Sequence, residues 1–236
     1  MTNTDVVILC GGLGTRLKSV VADRPKPMAE VGSRPFLDIL IGHLRRSGFR
    51  RFILCTGHMS EAIEAYYHTA PSGVEIVISR EPGPLGTAGA VKNAQRHIRS
   101  DPFLVANGDS FCDVDLVGFV ESHLTKTATF SMVVVQATDT LDYGTVIVDA
   151  DQRIVGFKEK ADTRTTAYIS AGIYLFSKAV LAGIPAGIKT SLEYDIFPQL
   201  VGRQCYAFTG RGPVLDIGTP ERLRTARHIL AEAAHE

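Results

Sequence analysis

Residues 6–27 read VVILCGGLGTRLKSVVADRPKP: an apolar run, a loop with three glycines, and a lysine between two prolines. The run Val6–Leu9 predicts a buried strand, and the glycines after it let backbone N–H groups approach an anion closely. A helix beginning after the loop would add the partial positive charge of its N-terminus. Arg16 and Lys26 could then hold different phosphates of one polyphosphate. We therefore expect a nucleotide to bind where this strand ends.

The composition is that of an ordinary globular protein without a charge excess. Its 236 residues are 45% hydrophobic, and Lys plus Arg equal Asp plus Glu at 25 each. Zero net charge argues against broad binding to nucleic acid or an anionic membrane, which needs a basic excess. The four cysteines are scattered without a CxxC pair, which predicts buried thiols in a reducing compartment. The N-terminus is polar and no apolar run approaches the ~20 residues of a membrane span, so we expect a cytoplasmic protein.

The first half of the chain alternates strand-like runs with helical patterns. Strands are predicted at Val6–Leu9, Arg51–Cys55, Val74–Ile78 and Phe103–Ala106, with helices at Phe36–Ser47, Glu61–Tyr67 and Ala88–Ile98. This alternation predicts parallel strands joined by right-handed crossovers, and such a sheet binds ligands at the carboxyl ends of its strands.

The second half has a mixed pattern. The sequence predicts a helix at Asp115–Thr125, strands at Phe130–Ala137 and Ala167–Phe176, a hairpin from Thr145–Val148 to Ile154–Glu159, and a helix from Pro220 to about Ala234 capped by Thr219. With no linker or repeat, we expect one α/β domain over residues 1–236. Its fold would be Rossmann-like with three αβα layers and a mostly parallel mixed central sheet. A nucleotide-binding half would cover about 1–112 and a sugar-phosphate-binding half about 113–236.

The glycine loop is neither a GxGxxG fingerprint, since Leu17 stands at the last glycine position, nor a Walker A loop. GGLGTRL followed by RPKPM resembles the signature of the sugar-1-phosphate nucleotidyltransferases, which have a nucleotide-diphospho-sugar transferase fold. In that family the loop cradles the triphosphate, the arginine binds its outer phosphates and the lysine stabilises the reacting α-phosphate. These roles would fall on Leu9, Gly11, Gly12, Gly14, Thr15, Arg16 and Lys26. Arg16 and Lys26 would be catalytic.

Two aspartates are candidate Mg²⁺ ligands. Asn107-Gly108-Asp109 follows a predicted strand; Asn-Gly alone is typical of a hairpin turn, but a helical pattern comes next. The family resemblance gives Asp109 a catalytic, metal-binding role, with Asn107 and Gly108 beside the nucleotide. Since Mg²⁺ takes one or two carboxylates together with phosphate oxygens, a second ligand is needed. The resemblance assigns it to Asp216 of Asp-Ile-Gly-Thr-Pro; the alternative is that Asp216 only stabilises the N-terminus of the next helix.

The segment from Glu81 to Gly89 reads EPGPLGTAG. It is similar to the segment with which family members that use purine nucleotides, guanine especially, contact the base. Nucleotide contacts would come from Glu81, Leu85, Gly86, Thr87 and Gly89, the glycines letting the base lie against the backbone. The alternative is a plain loop with Thr87 as the helix N-cap.

Three weaker patterns indicate the sugar phosphate site. Glu159 and Lys160 resemble the family's Glu-Lys pair, although alternating charges at a strand end are common. Ser170, Ala171 and Gly172 match its Asn-Ala-Gly motif except for the shorter Ser170. Glu193, with Asp195 nearby, lies where the family has an acceptor for a sugar hydroxyl; Thr190 and Glu193 equally fit a capping box.

The resemblance implies a reaction of an NTP with a sugar 1-phosphate that gives a nucleotide sugar, a precursor of cell-surface glycans, and pyrophosphate. GTP and D-glycero-α-D-manno-heptose 1-phosphate are the expected substrates, with mannose or another hexose 1-phosphate as the alternative. Mg²⁺ is the expected cofactor, and self-association is left open. A catalytically silent homologue that binds nucleotide sugar is the alternative of another class.

Overall fold

The computed structural model describes residues 3–12, 14–17, 19–69, 73–138, 143–158 and 166–232. The strands are β1 Val6–Leu9, β2 Glu30–Val31, β3 Arg34–Pro35, β4 Arg51–Thr56, β5 Glu75–Arg80, β6 Phe103–Asn107, β7 Ser110–Cys112, β8 Phe130–Ala137, β9 Thr145–Val148, β10 Ile154–Lys158, β11 Ala167–Phe176, β12 Cys205–Thr209 and β13 Val214–Asp216. The helices are α1 Phe36–Arg46, α2 Ser60–Thr69, α3 Gly86–Asn93, α4 Leu116–Thr125, α5 Phe197–Leu200 and α6 Pro220–Glu232.

One large mixed sheet organises the described part of the chain. Its main order is β10-β9-β11-β6-β1-β4-β5, with β8 pairing β11 and β12. Strands β6, β1, β4 and β5 run parallel, as the strand–helix alternation predicts. Strand β11 runs antiparallel to β6 and joins the mixed second half to this parallel part. The predicted α/β class with a mixed central sheet is confirmed.

Helices cover both faces of the sheet, because its central strands are apolar on both sides. In β1, Val6 and Ile8 pack with α1, α2 and α4, whereas Val7 packs on the opposite face with α3 and α5. A third apolar cluster lies under α6 and includes Leu17 and Ile217. The sheet is therefore the middle of three layers, and its strand ends form the accessible edge. None of the helices in the described ranges is long and apolar enough to cross a membrane.

The helix predicted after the glycine loop is not there, and that prediction is wrong. Short 3₁₀ turns follow instead at Thr15–Leu17 and Lys26–Met28. Pro25 and Pro27 account for the shortness of the second turn, since each disfavours helical geometry at the residue before it and lacks an N–H donor. The first turn ends well before Pro25, and no proline explains it. The loop therefore has no helix dipole behind it, and its positive charge comes from side chains.

Other elements were predicted with different success. The helix predicted at Ala88–Ile98 ends at Asn93 and continues as a 3₁₀ turn over Ala94–His97. The hairpin from β9 to β10 is confirmed, although Glu159 lies outside the described residues. Thr219 caps α6 as predicted, accepting from the Arg222 N–H at 3.3 Å. Strands β2, β3, β7, β12 and β13 were not predicted.

Candidate active site

A cleft of about 440 Å³ opens where the carboxyl ends of β1 and β6 meet. Predicted residues that line it are Leu9, Gly11, Gly12, Gly14, Thr15, Lys26, Glu81, Gly86, Thr87, Asn107 and Asp109. Four predicted nucleotide contacts do not line it: Arg16, Leu85, Gly89 and Gly108. Gly108 has a structural reason to be glycine, since a Cβ there would lie 2.7 Å from the Leu9 carbonyl oxygen.

Lys26 and Asp109 form an ion pair inside this cleft. The Lys26 side chain is only 13% exposed and the Asp109 side chain 34%, so water screens the pair incompletely. The prolines on either side of Lys26 limit its backbone, and the 3₁₀ turn holds it below the glycine loop. A lysine and a carboxylate 83 positions apart in sequence thus meet at the end of β6.

Asp216 is brought beside Asp109 by a pairing that the sequence did not predict. Strand β13 runs antiparallel to β7, with Asp216 opposite Ser110, and the Ile217 N–H donates to the Asp109 carbonyl at 3.0 Å. Strand β7 begins directly after Asp109, and strand β13 ends at Asp216, so their pairing brings the two aspartates into one cluster.

Cations also gather at this cluster. A Cβ built on Gly218 would lie 3.7 Å from both the Arg16 Nη2 and the Lys26 Nζ atoms. Arg16 is exposed and forms no ion pair with other described residues. The site therefore offers two carboxylates and two cations, a charge set suited to a metal–polyphosphate complex.

Asp216 is held by two residues that no sequence motif singled out. Tyr143 donates its phenol hydrogen to Oδ2 at 2.6 Å, and Arg222 Nη1 contacts Oδ2 at 3.1 Å and Oδ1 at 3.3 Å. The Arg222 guanidinium also lies over the Tyr143 ring, 4.9 Å from its centroid. Asp216 is therefore more than a helix-terminal charge.

Glu81 forms one wall of the cleft. Its carboxyl group lies against the α-carbon of Gly11, where any side chain would collide with it, and its Oε2 accepts from the Leu85 N–H at 3.1 Å. Burial raises the pKa of Glu81 above the ordinary glutamate value, partly offset by that hydrogen bond. A side chain at position 11 would therefore require the Glu81 carboxyl group to move.

The glycines of the predicted base-binding segment are required by chain packing. A Cβ on Gly86, whose φ is +71°, would lie 2.6 Å from the Thr190 carbonyl oxygen, and one on Gly89 would lie 2.8 Å from the Ile188 carbonyl oxygen. The N–H groups of Ala88 and Gly89 donate to Thr190 at 2.9 and 3.2 Å. The close approach that these glycines permit is therefore made by residues 188–190 of the chain itself.

Thr87 is not an N-cap, so that alternative is wrong. The N-cap position of α3 is Leu85, and Thr87 lies inside the first turn. Its hydroxyl donates to Glu193 Oε2 at 2.8 Å and accepts from the Leu192 N–H at 2.7 Å. The nucleotide side of the cleft is thereby tied to the segment predicted to bind the sugar.

The capping box proposed for Thr190 and Glu193 is displaced by one residue. Ser191 is the N-cap of a π-helical turn at Leu192–Ile196, and its Oγ accepts from the Glu193 and Tyr194 N–H groups. Ser191 Oγ also donates to Glu193 Oε2, and Asp195 Oδ2 accepts from the Ser191 N–H at 2.7 Å. Thr190 instead donates to the Ile188 carbonyl, because its own carbonyl and N–H are held by α3 and Leu85.

The 170–172 motif shapes a bulge in β11. Before the bulge β11 pairs with β9, and after it with β6. Gly172 has φ +74°, and a Cβ there would lie 2.9 Å from the Asn107 amide nitrogen. Ser170 Oγ accepts from the Gly172 N–H at 3.1 Å and donates to the Tyr174 hydroxyl at 3.2 Å. Ala171 is fully buried in the core, so only its main chain is available to a ligand.

Lys189 lines the same cleft and was missed by the sequence analysis. No motif marked it, since it is an exposed lysine in a loop; the packing of residues 188–190 on α3 brings it to the nucleotide side. The other predicted sugar-phosphate contacts, Glu159 and Lys160, lie outside the described residues. 

A larger groove of about 1040 Å³ lies at the opposite edge of the sheet. Its charged residues are engaged with one another: Arg51 pairs with Asp5 at 3.0 Å and with Glu75 at 2.9 Å. Asp5 also accepts from the Arg99 and Ser100 N–H groups. This groove joins the amino ends of the strands and lacks the glycine loop, so its size does not make it the reaction site.

Comparison with known proteins agrees with this geometry. A D-glycero-α-D-manno-heptose 1-phosphate guanylyltransferase from Aneurinibacillus thermoaerophilus is 35% identical over 227 residues, covering 96% of this chain and 98% of that protein. A mannose-1-phosphate guanylyltransferase from Mycobacterium tuberculosis is 33% identical over 221 residues, covering 92% of this chain and 62% of that protein. The crystal structure of HddC from Yersinia pseudotuberculosis complexed with GMP-PN superposes with a TM-score of 0.85 at 36% identity, covering 96% of this chain and 99% of that one.

The match to a family model extends over almost the whole chain. The nucleotidyl transferase model aligns with residues 5–233, from the residue before β1 to the end of α6. That range contains the glycine loop, the Lys26–Asp109 pair and Asp216. The chain therefore belongs to the nucleotidyl transferase family.

Proposed function

We propose that this protein transfers the guanylyl group of GTP to a sugar 1-phosphate, with D-glycero-α-D-manno-heptose 1-phosphate as the substrate, and releases pyrophosphate. The observation that carries the proposal is the Lys26–Asp109 ion pair beside Asp216, at the mouth of a glycine loop. A largely buried cation paired with one carboxylate and lying near a second is suited to two polyanionic substrates that must be brought together.

The nucleophile needs no general base, because a sugar phosphate oxygen is already an anion at neutral pH. The obstacle is repulsion between the attacking phosphate and the triphosphate, which positioned cations lower most strongly in the transition state. In this proposal Lys26 contacts the α-phosphate, Lys189 adds positive charge to the lining of the cleft, and Arg16 adds positive charge near Gly218. The glycine loop supplies backbone N–H groups to the outer phosphates.

The residues present fit a Mg²⁺ ion. Asp109 and Asp216 supply oxygen ligands from adjacent strands, which matches the preference of Mg²⁺ for one or two carboxylates plus substrate phosphates. No cluster of three or more His, Cys, Asp or Glu side chains suited to a metal lies in the described ranges, so phosphate oxygens would complete the set. When bound, the ion would neutralise phosphate charge at the reacting centre.

Glu81 supports guanine as the base. The Watson–Crick edge of guanine carries adjacent N1–H and N2–H donors, and an ionised carboxylate can accept from both. Uracil and thymine present a single N–H donor on that edge, so they gain less from the same carboxylate. A second cavity of about 540 Å³ shares Gly11, Glu81 and Pro84 with the cleft and gives the base room beside this group.

The choice of heptose rests on the relatives. Those named for heptose 1-phosphate match this chain along nearly their whole length, whereas the mycobacterial mannose-1-phosphate enzyme is matched along less than two thirds. In this proposal the Ser170 hydroxyl, which now accepts from the Gly172 N–H, and the Glu193 carboxylate, which accepts from the cleft residue Thr87, would contact the sugar. The four cysteines are free thiols, which favours a reducing compartment such as the cytoplasm.

A substrate matrix tests the proposal. Pyrophosphate release is measured with each of four NTPs against heptose, mannose and glucose 1-phosphates in the presence of Mg²⁺. We expect the largest kcat/KM for GTP with the heptose phosphate; preference for UTP or dTTP would overturn the base assignment, and equal values with mannose 1-phosphate the heptose assignment.

Matched lysine variants then locate the reaction. Lys26→Met should lower kcat by about 10²-fold or more through loss of charge stabilisation. Lys126→Met removes a lysine that lies over the Tyr206 ring, far along the chain from the cleft, and should leave kcat unchanged. Full activity in Lys26→Met would refute the catalytic role of Lys26, whereas no activity in the wild type would favour the non-catalytic alternative.

A further inference from the structure

The carboxylate of Asp216 has all of its acceptor positions filled by protein donors. A carboxylate offers about four lone-pair sites. Oδ1 accepts from the Gly218 N–H at 2.8 Å and contacts Arg222 Nη1 at 3.3 Å. Oδ2 accepts from the Tyr143 hydroxyl at 2.6 Å and contacts the same Nη1 atom at 3.1 Å. A metal ion can reach this carboxylate only if one donor withdraws.

Arg222 is the donor that can withdraw. The Gly218 N–H belongs to the main chain, and the Tyr143 contact is the shortest of the four. Arg222 makes the two longest contacts with a single nitrogen, and its side chain is long, flexible and 25% exposed. A guanidinium and a divalent cation on the same face of Asp216 would also repel each other.

Helix stability does not explain why an arginine lies at position 222 of α6. It is the third residue of a helix that begins at Pro220, where the positive end of the helix dipole disfavours a cation. Asp216, only 12% exposed, and the Tyr143 ring are what compensate that charge. A residue that costs helix stability and occupies a candidate metal ligand points to a role at the site.

We propose that Arg222 is a built-in counter-cation of Asp216 that competes with the divalent metal, lowers its affinity in the absence of nucleotide, and must swing aside for Asp216 to bind it. Arg222 is thus a positioning residue that acts through Asp216. The proposal rests on the metal role of Asp216 given under the proposed function. It predicts that removing the guanidinium tightens metal binding, because the charge that repels the metal and the two contacts that occupy Asp216 are both lost.

Mn²⁺ binding to the nucleotide-free protein tests this directly, since Mn²⁺ takes the same oxygen ligands as Mg²⁺ and its free form is counted by electron paramagnetic resonance. Arg222→Met keeps most of the apolar stem and should bind Mn²⁺ about tenfold more tightly than the wild type, the scale of one charge-assisted hydrogen bond. Arg224→Met is the matched control: it removes an equal charge from α6, at a side chain that is 72% exposed and pairs with Glu221. It should change the Kd by less than about twofold.

Further variants separate the possible failures. In an Asp216→Asn background, Arg222→Met should no longer tighten binding, because the contact it relieves is gone. Arg222→Lys, which keeps the charge without the planar fork, should fall between wild type and Arg222→Met and serves if the methionine variant does not fold. Unchanged or weaker binding in Arg222→Met, including no detectable binding by either protein, overturns the inference. If Asp216→Asn alone leaves Mn²⁺ binding intact, the proposed metal site fails instead.

Discussion

Replacing Gly86 with alanine should destabilise the folded protein severely, because glycine there is required by the chain's own packing. The residue has φ +71°, and a Cβ would lie 2.6, 3.1 and 3.3 Å from the O, C and N atoms of Thr190. All three are main-chain atoms that cannot rotate away. The left-handed backbone costs an alanine about 1 kcal/mol or more, and overpacking typically adds about 1–3 kcal/mol.

Relief of the clash would move residues 188–190 away from α3 and weaken the bonds between them. These are the Ala88 and Gly89 donations to Thr190 and the Thr190 donation to Leu85, at 2.9, 3.2 and 2.8 Å. At a net value of about 1 kcal/mol for each hydrogen bond, losing all of them would cost at most about 3 kcal/mol, which is similar to the cost of keeping the clash. We therefore expect a loss of about 3 kcal/mol, a large part of the 5–15 kcal/mol typical of a folded domain.

Urea unfolding followed by circular dichroism measures this loss. Gly183→Ala is the matched control, since a Cβ there meets nothing within 4 Å and its φ is not positive; it should leave stability unchanged or slightly raised. If the glycine instead served only to admit the base, Gly86→Ala would raise the KM for GTP at unchanged stability. An unfolding midpoint equal to that of Gly183→Ala would refute the packing argument.

Further predictions concern the other walls of the cleft. Burial raises the pKa of Glu81, so folding favours its protonated form and this site's contribution to stability falls as pH rises through the folded-state pKa. Glu81→Gln should therefore be more stable than wild type in urea at pH 7, and this gain in stability should vanish below the ordinary glutamate pKa of 4.5. The same variant should bind GTP more weakly. An equal gain in stability at pH 7 and below pH 4.5 would contradict the argument. Thr87→Val should cost about 1–2 kcal/mol by leaving the buried Leu192 N–H unpaired, whereas Thr87→Ser should cost less than half as much, and equal losses would exclude the hydroxyl as the cause. Burial raises the pKa of all four cysteine thiols, so a thiol reagent should label none in the native protein and all four in urea; rapid native labelling of any cysteine would show that it is accessible.

The parallel part of the sheet could be predicted because its signal is local. Val6–Leu9 and Phe103–Ala106 are apolar runs bounded by glycine or polar residues, and the amphipathic pattern beginning at Phe36 is periodic over a full helix. The location of the residues that follow those strands could be predicted as well, since parallel strands present their carboxyl ends on one edge of the sheet. This is why Asp109 and the glycine loop could be assigned to one site, whereas Lys26 was assigned to it through the family resemblance.

The pairing of β7 with β13 could not be predicted in the same way. Both strands have three residues, too few to show a period, and the partners lie about a hundred positions apart. Asp216 was placed through a family resemblance, and Arg222 and Tyr143, which hold it, belong to no local pattern. The need for glycine at position 86 likewise arises from Thr190, which is distant in sequence and packs against it.

The helix expected after the glycine loop is replaced by two short 3₁₀ turns, and a local signal explains only the second. Glycines after a strand are typical of a loop that opens a helix, whereas Pro25 and Pro27 restrict the turn at Lys26–Met28. The cationic side chains therefore have to supply the charge that a helix dipole would have given. Lys26 is more central to the site than the loop pattern alone indicated.

The position of the transferred label tests the central claim most directly. GTP labelled with ³²P at the α- or the γ-phosphate is incubated with D-glycero-α-D-manno-heptose 1-phosphate, Mg²⁺ and the protein, and the products are separated. Attack on the α-phosphorus predicts that the α-label appears in the nucleotide sugar and the γ-label in pyrophosphate. Release of the γ-label as inorganic phosphate, or its transfer to the sugar, would contradict guanylyl transfer at this cleft.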